Sequence, residues 1–79
     1  MRKRIAKEMK PGYLVRLRSC IPELKSTQIE SLLDDQASHW VPNGEIALIV
    51  MKYPERDGFT VLCQGFLGWV WEMECYEKV

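Results

Sequence analysis

Apolar and polar positions alternate from Tyr13 to Ser19, with Tyr13, Val15 and Leu17 on one face and Leu14, Arg16 and Arg18 on the other. A period of two over this length predicts a half-buried strand with a basic outer face. "EIALIVMKYP", Glu45 to Pro54, is rich in β-branched residues and bounded by turn signals, so it reads as the most buried strand. "PERDG", Pro54 to Gly58, carries proline and Asp-Gly and suits a hairpin turn. Phe59 to Gln64 alternates again, placing Phe59, Val61 and Cys63 opposite Thr60, Leu62 and Gln64. Gly65 then permits a tight turn, "LGWVWE" supplies a further strand and "CYEKV" a short last one.

One stretch breaks this rhythm. Between Ile21 and Asn43, Thr27 is followed three residues later by Glu30, the spacing of a capping box that satisfies free backbone N–H groups. Ile29, Leu32, Leu33, Ala37 and Trp40 then fall on one helical stripe, and Pro42-Asn43-Gly44 ends it. The pattern predicts a short amphipathic helix over about Gln28 to Ser38, inserted between two strands. Ahead of the first strand, "RKRIAKEMK" permits one or two helical turns, which Pro11-Gly12 stops.

The sum is a strand, a helical insert, and three or four strands joined by tight turns. An antiparallel meander this short protects its edges best by curling into a barrel. Trp69 and Trp71 lie two apart on a strand and point the same way, so Val70 takes the other face. With Val70, Met73 and Val79 sealing the core, both tryptophans lie outside. Two covers are open for them: the inserted helix, through Trp40, Leu33 and Ile29, or a bound partner.

"PGYLVRLRS", "GEIALIVMKYP" and "GFTVLCQGFLGWVWEMECYEKV" resemble the short SH3-like barrel proteins encoded by tailed bacteriophages, cyanophages included. The resemblance covers residues 11–19 and 44–79. Ala47 stands where the pattern has glycine and Cys75 where leucine is common, and the 21–43 insert has no counterpart in the minimal pattern. It implies a mostly β chain, a small SH3-like antiparallel barrel over residues 11–79; the short helical insert and the basic N-terminal arm over residues 1–10, which also lacks a counterpart, are read from the residues alone. It also implies a phage setting, in the virion or the host cytoplasm.

Charge divides the chain unevenly. Residues 1–25 carry eight basic and two acidic side chains, a net of +6, whereas residues 26–79 carry three and nine, a net of −6. The arm residues Arg2, Lys3, Arg4, Lys7 and Lys10, continued by Arg16 and Arg18 on the first strand, form a stripe suited to phosphates. That makes nucleic-acid binding the alternative function, although the acidic body opposes a backbone laid across it.

A chain of 79 residues has room for one domain and little for a deep two-lobed cleft, which favours a binding module over an enzyme. "MRKRIAKEMK" lacks the apolar core of a secretory signal, and Ile46 to Met51 is far short of the roughly 20 residues of a membrane helix. Neither secretion nor a membrane is expected. Cys20, Cys63 and Cys75 show no paired spacing, and with His39 the only histidine, no metal or other cofactor is expected. A nucleophilic cysteine needs an adjacent base, which no spacing supplies; Asp34 and Asp35 point apart, and no glycine-rich phosphate loop is present. The expected activity is therefore docking onto another protein, viral or host, through Trp40, Tyr53, Trp69 and Trp71.

Overall fold

A computed structural model describes residues 9–34 and 36–79. Alternation becomes seven strands: β1 (Leu14–Leu17), β2 (Ser26–Ser31), β3 (Ser38–Pro42), β4 (Ile46–Tyr53), β5 (Gly58–Cys63), β6 (Phe66–Trp71) and β7 (Cys75–Lys78). A single 3-10 turn, Glu72–Glu74, separates β6 from β7. All pairings are antiparallel, and the strands form one sheet in the order β3-β2-β6-β5-β4-β1-β7. The chain is thus mostly β, and the described residues contain no α-helix.

The residues expected to form the helix instead form the β2–β3 hairpin, paired from Ser26↔Pro42 to Glu30↔Ser38. Local polar chemistry decides this. Ser31 Oγ accepts the N–H groups of Leu33 and Asp34, and Asp34 Oδ1 accepts that of Gln36. These short-range bonds stabilise a turn where a helix needs its own ladder. Thr27 and Glu30, the expected capping pair, sit on opposite faces of β2. Thr27 is buried and donates its hydroxyl to Asn43 Oδ1 at 2.8 Å, whereas Glu30 faces outward opposite Trp69. Leu33, expected to cover the tryptophans, is 91% exposed in the turn, and Ile29 points into the core.

The hairpin joins the sheet through β6, since Glu30 pairs with Trp69 and Ser31 with Gly68. Gly68 makes this approach possible: a Cβ there would collide with the Glu30 carbonyl oxygen and lie 2.8 Å from Ile29 Cγ2. At the other end of the hairpin Asn43 acts as a clamp. Its Oδ1 accepts from Ser19 N and Thr27 Oγ1, and its Nδ2 donates to the Leu24 carbonyl. The β1–β2 connection is thereby fixed against the start of β2.

One buried cluster contains Val15 and Leu17 of β1, Ile29 of β2, Val41 of β3, Ala47 and Ile49 of β4, Phe59, Val61 and Cys63 of β5, Val70 of β6 and Cys75 of β7. Side chains from both edge strands, β3 and β7, meet in it, so the sheet curls around a single core. The inward sets expected on β1 and β5 are found, with Tyr13 packed at the margin. Val70 is inside as expected. Met73 and Val79 are exposed, because the 3-10 turn breaks the strand period before Met73 and Val79 lies beyond the last pairing. Met9, in the expected arm, is buried in this core.

Candidate functional site

The outward side chains of β2, β3 and β6 gather the aromatic residues. Trp69 and Trp71 flank the buried Val70, and their rings meet edge to face with centroids 4.9 Å apart. Trp69 is only 7% exposed, despite pointing away from the core. Tyr53 stacks on it in parallel at 5.4 Å, and the Arg56 guanidinium lies over its ring at 5.2 Å. Gly58 explains the fit: it lies between Tyr53 and Trp71 in the sheet, and a Cβ there would press to 3.2 Å from the Trp69 ring. Trp40, on β3 one strand beyond β2, remains 49% exposed.

These side chains border two adjoining hollows. The smaller, about 130 Å³, is lined by Trp40, Trp69 and Trp71 together with Glu30, Glu74 and Cys20. The larger, about 310 Å³, is bordered by Tyr53, Arg56, Trp69, Trp71, Glu30 and Leu32. Glu30, Trp69 and Trp71 belong to both, so the two make one groove with a shared wall. All four residues expected to bind a partner, Trp40, Tyr53, Trp69 and Trp71, border this groove. The helical cover is corrected in kind: a strand hairpin carrying Trp40 lies beside the tryptophans and leaves an opening.

The sequence pattern offers Glu30 as a capping residue and Cys20 as an unpaired cysteine, and it places neither of them, nor Glu74 or Arg56, beside the tryptophans. Glu30 would have been legible had β2 been read with period two, because the outward position after Gln28 is then fixed. Glu74 had no signal. The 3-10 turn folds its side chain back, so that its Oε1 accepts the Trp71 N–H at 3.0 Å while its own carbonyl accepts the Arg18 N–H. Only 6% of Glu74 is exposed, and burial pushes its carboxyl above the usual range. Hydrogen bonds from Trp71 and Cys20 oppose that shift, and the nearby charge of Glu30 adds to it.

The thiols are held in their protonated form. Burial raises the Cys75 thiol to about 12, with Glu74 and Glu72 adding to the effect. Burial, and then Glu45, raises Cys63; Cys20 is exposed and is moved the same way by slight desolvation and then by Glu74. None is activated as a nucleophile. His39 shares a 2.9 Å hydrogen bond with Gln64 Oε1 and stacks on Phe66. Among the described residues no group of three or more His, Cys, Asp or Glu side chains is placed to hold a metal ion, and no helix is long and apolar enough to cross a membrane.

Of the basic stripe, Arg2, Lys3, Arg4 and Lys7 lie outside the described residues, and Lys10 is exposed. Arg16 donates to the Gly44 carbonyl at 3.1 Å and pairs with Glu77 at 3.5 Å, and Arg18 lies over the Tyr76 ring at 4.1 Å. Both are on the β1–β7 side of the sheet, with β4, β5 and β6 between them and the β2–β3 hairpin. Compared with known proteins, the chain matches no family model, no curated protein and no solved structure.

Proposed function

We propose that this protein is a non-catalytic docking module that holds a segment of another protein in the groove bordered by Trp40, Tyr53, Trp69 and Trp71. The observation that carries the reading is the convergence of three tryptophans from two strands on one opening. Aromatic side chains with large area and few rotamers are the usual energetic anchors of protein interfaces. The curled antiparallel sheet suits a small SH3-like barrel of the phage type, acting as a virion component or as a factor directed at a host protein. The alternative, nucleic-acid binding through the basic arm, has less support, because Arg16 and Arg18, which would continue the stripe onto β1, are engaged by groups of the protein itself.

The test is a selection of displayed random peptides against the full chain, followed by titration of the selected peptides with Trp40→Ala and Trp71→Ala. Each partly exposed indole can be truncated without opening the core, and circular dichroism checks the fold. Peptide affinity should fall at least ~10-fold in either variant, in line with the loss of an interface anchor. Undiminished binding to both variants would remove the groove from the function.

A further inference from the structure

We propose that the smaller hollow is a receptor for one cationic side chain, arginine or lysine, of the docked segment. The inference rests on the docking reading and adds the chemistry of what enters. Three features of the hollow point to a cation together. Its lining includes the indoles of Trp40, Trp69 and Trp71, of which Trp40 and Trp71 remain partly exposed, and an indole π-system attracts a cation through the negative part of its quadrupole. It is also lined by two carboxyl groups, Glu30 and Glu74, and by no basic residue. Among the described residues neither carboxylate has a salt-bridge partner, whereas Glu77 and Glu72 elsewhere are paired with Arg16 and Lys52.

The larger hollow supplies an internal precedent. There Arg56 already lies over the Trp69 ring, with Tyr53 stacked beside it, so this cluster receives a guanidinium from its own chain. The smaller hollow has the same tryptophan and the same Glu30 but no such occupant from the described residues. A volume of about 130 Å³ admits a guanidinium or ammonium head with the last methylenes of its stem. An anion would meet two like charges. A purely apolar side chain would cover Glu30 without a partner and add none to Glu74 beyond the bonds it accepts from Trp71 N–H and Cys20. A cation satisfies the carboxylates and the rings at once.

The chain's three tryptophans all line this hollow, so three indole N–H resonances report on it directly. The probe is N-acetyl-arginine amide, titrated into the full chain beside N-acetyl-citrulline amide, a neutral side chain of nearly the same shape. Saturable shifts of the indole signals are expected for the arginine compound, with the citrulline compound at least tenfold weaker. Glu30→Gln, a change at a half-buried surface position, should weaken the arginine compound severalfold and leave the citrulline compound unaffected. Equal binding of the two compounds, or no saturable shift with either, would overturn the inference. The docking reading fails separately. Selected peptides that lose binding in Trp71→Ala but tolerate citrulline in place of arginine and norleucine in place of lysine leave docking intact and sink the cation receptor. Binding of the arginine compound alongside peptides indifferent to Trp71→Ala does the reverse.

Discussion

The outward surface has two apolar regions of opposite character. One is the aromatic and acidic groove on β2, β3 and β6. The other is a row of leucines crossing four strands in register: Leu14 of β1 opposite Leu48 of β4, Leu48 opposite Leu62 of β5, and Leu62 opposite Leu67 of β6. Leu14, Leu62 and Leu67 are exposed, as are Ile46 and Val50 beside Leu48 on β4. Directly paired residues on one face stand about 5 Å apart, so register alone makes the row continuous. Its members are non-directional and carry no polar group. In the groove each ring has a specific neighbour, Trp69 has Tyr53 and Arg56, and a buried carboxylate fixes the Trp71 backbone. Exposed apolar area is common to both regions; concavity and placed polar groups belong only to the groove. Recognition is assigned to the groove on that ground.

The strongest way to break the contrast is to detach the hairpin that contributes one wall. Gly68→Val drives a branched side chain into the Glu30 backbone and Ile29, within the two-residue pairing that joins β2 to β6. A loss of about 3 kcal/mol or more is expected from such a clash, read by urea denaturation. Amide exchange should show β2 and β3 losing protection before β4 and β5. The leucine row, which lies on β1, β4, β5 and β6, should keep its register.

Asn43→Ala acts on the same wall more gently. It removes the acceptor of the buried Thr27 hydroxyl and of Ser19 N, and the donor to the Leu24 carbonyl. Leaving buried polar groups unpaired costs about 2 kcal/mol. Asn43→Asp, which keeps the acceptor oxygen, should recover part of the loss in the same denaturation measurement.

Asn43 also marks the border of what the sequence makes legible. Strands β1 and β5 are readable from period-two alternation, β4 from an apolar, β-branched run bounded by turn signals, and β6 from its place after the Gly65 turn. The β2–β3 hairpin is not, because "STQIES" is polar on both faces in simple hydropathy. Only Thr27, made apolar in effect by its hydrogen bond to Asn43, completes the inward set with Ile29. A bond across sixteen residues leaves no local signature. The same limit applies to the site. The shared side of Trp69 and Trp71 follows from strand geometry, whereas the carboxylates that give their groove its charge arrive from β2 and from a 3-10 turn.

Glu74→Gln sharpens the comparison electrostatically. The folded state raises this carboxyl above its ordinary value of 4.5, chiefly through burial, so the folded protein binds the proton more tightly than the unfolded chain. The stabilisation from protonation is complete below 4.5 and is lost as the pH rises through the folded value. Glu30 adds to the shift by its charge, and Cys20 and the Trp71 N–H oppose it by hydrogen bonding. The wild-type melting temperature, measured relative to Glu74→Gln, should therefore increase as the pH is lowered from 7 toward 4.5. A difference that stays constant with pH would mean that the carboxyl titrates as if in water, and the groove would lose its desolvated charge.

Leu62→Lys tests the other region and should do the least. Leu62 sits in the middle of the leucine row, exposed, with Leu48 and Leu67 directly opposite on either side. A lysine stem lies along those neighbours while its ammonium stays in water, so stability should change by no more than about 0.5 kcal/mol. The indole resonances and the affinity for the arginine compound should be unaltered, since the row shares no residue with either hollow. A destabilisation as large as that of Asn43→Ala would show the row to be packed as tightly as the core. The two regions would then differ in composition alone, and concavity would no longer separate a recognition surface from an exposed apolar one.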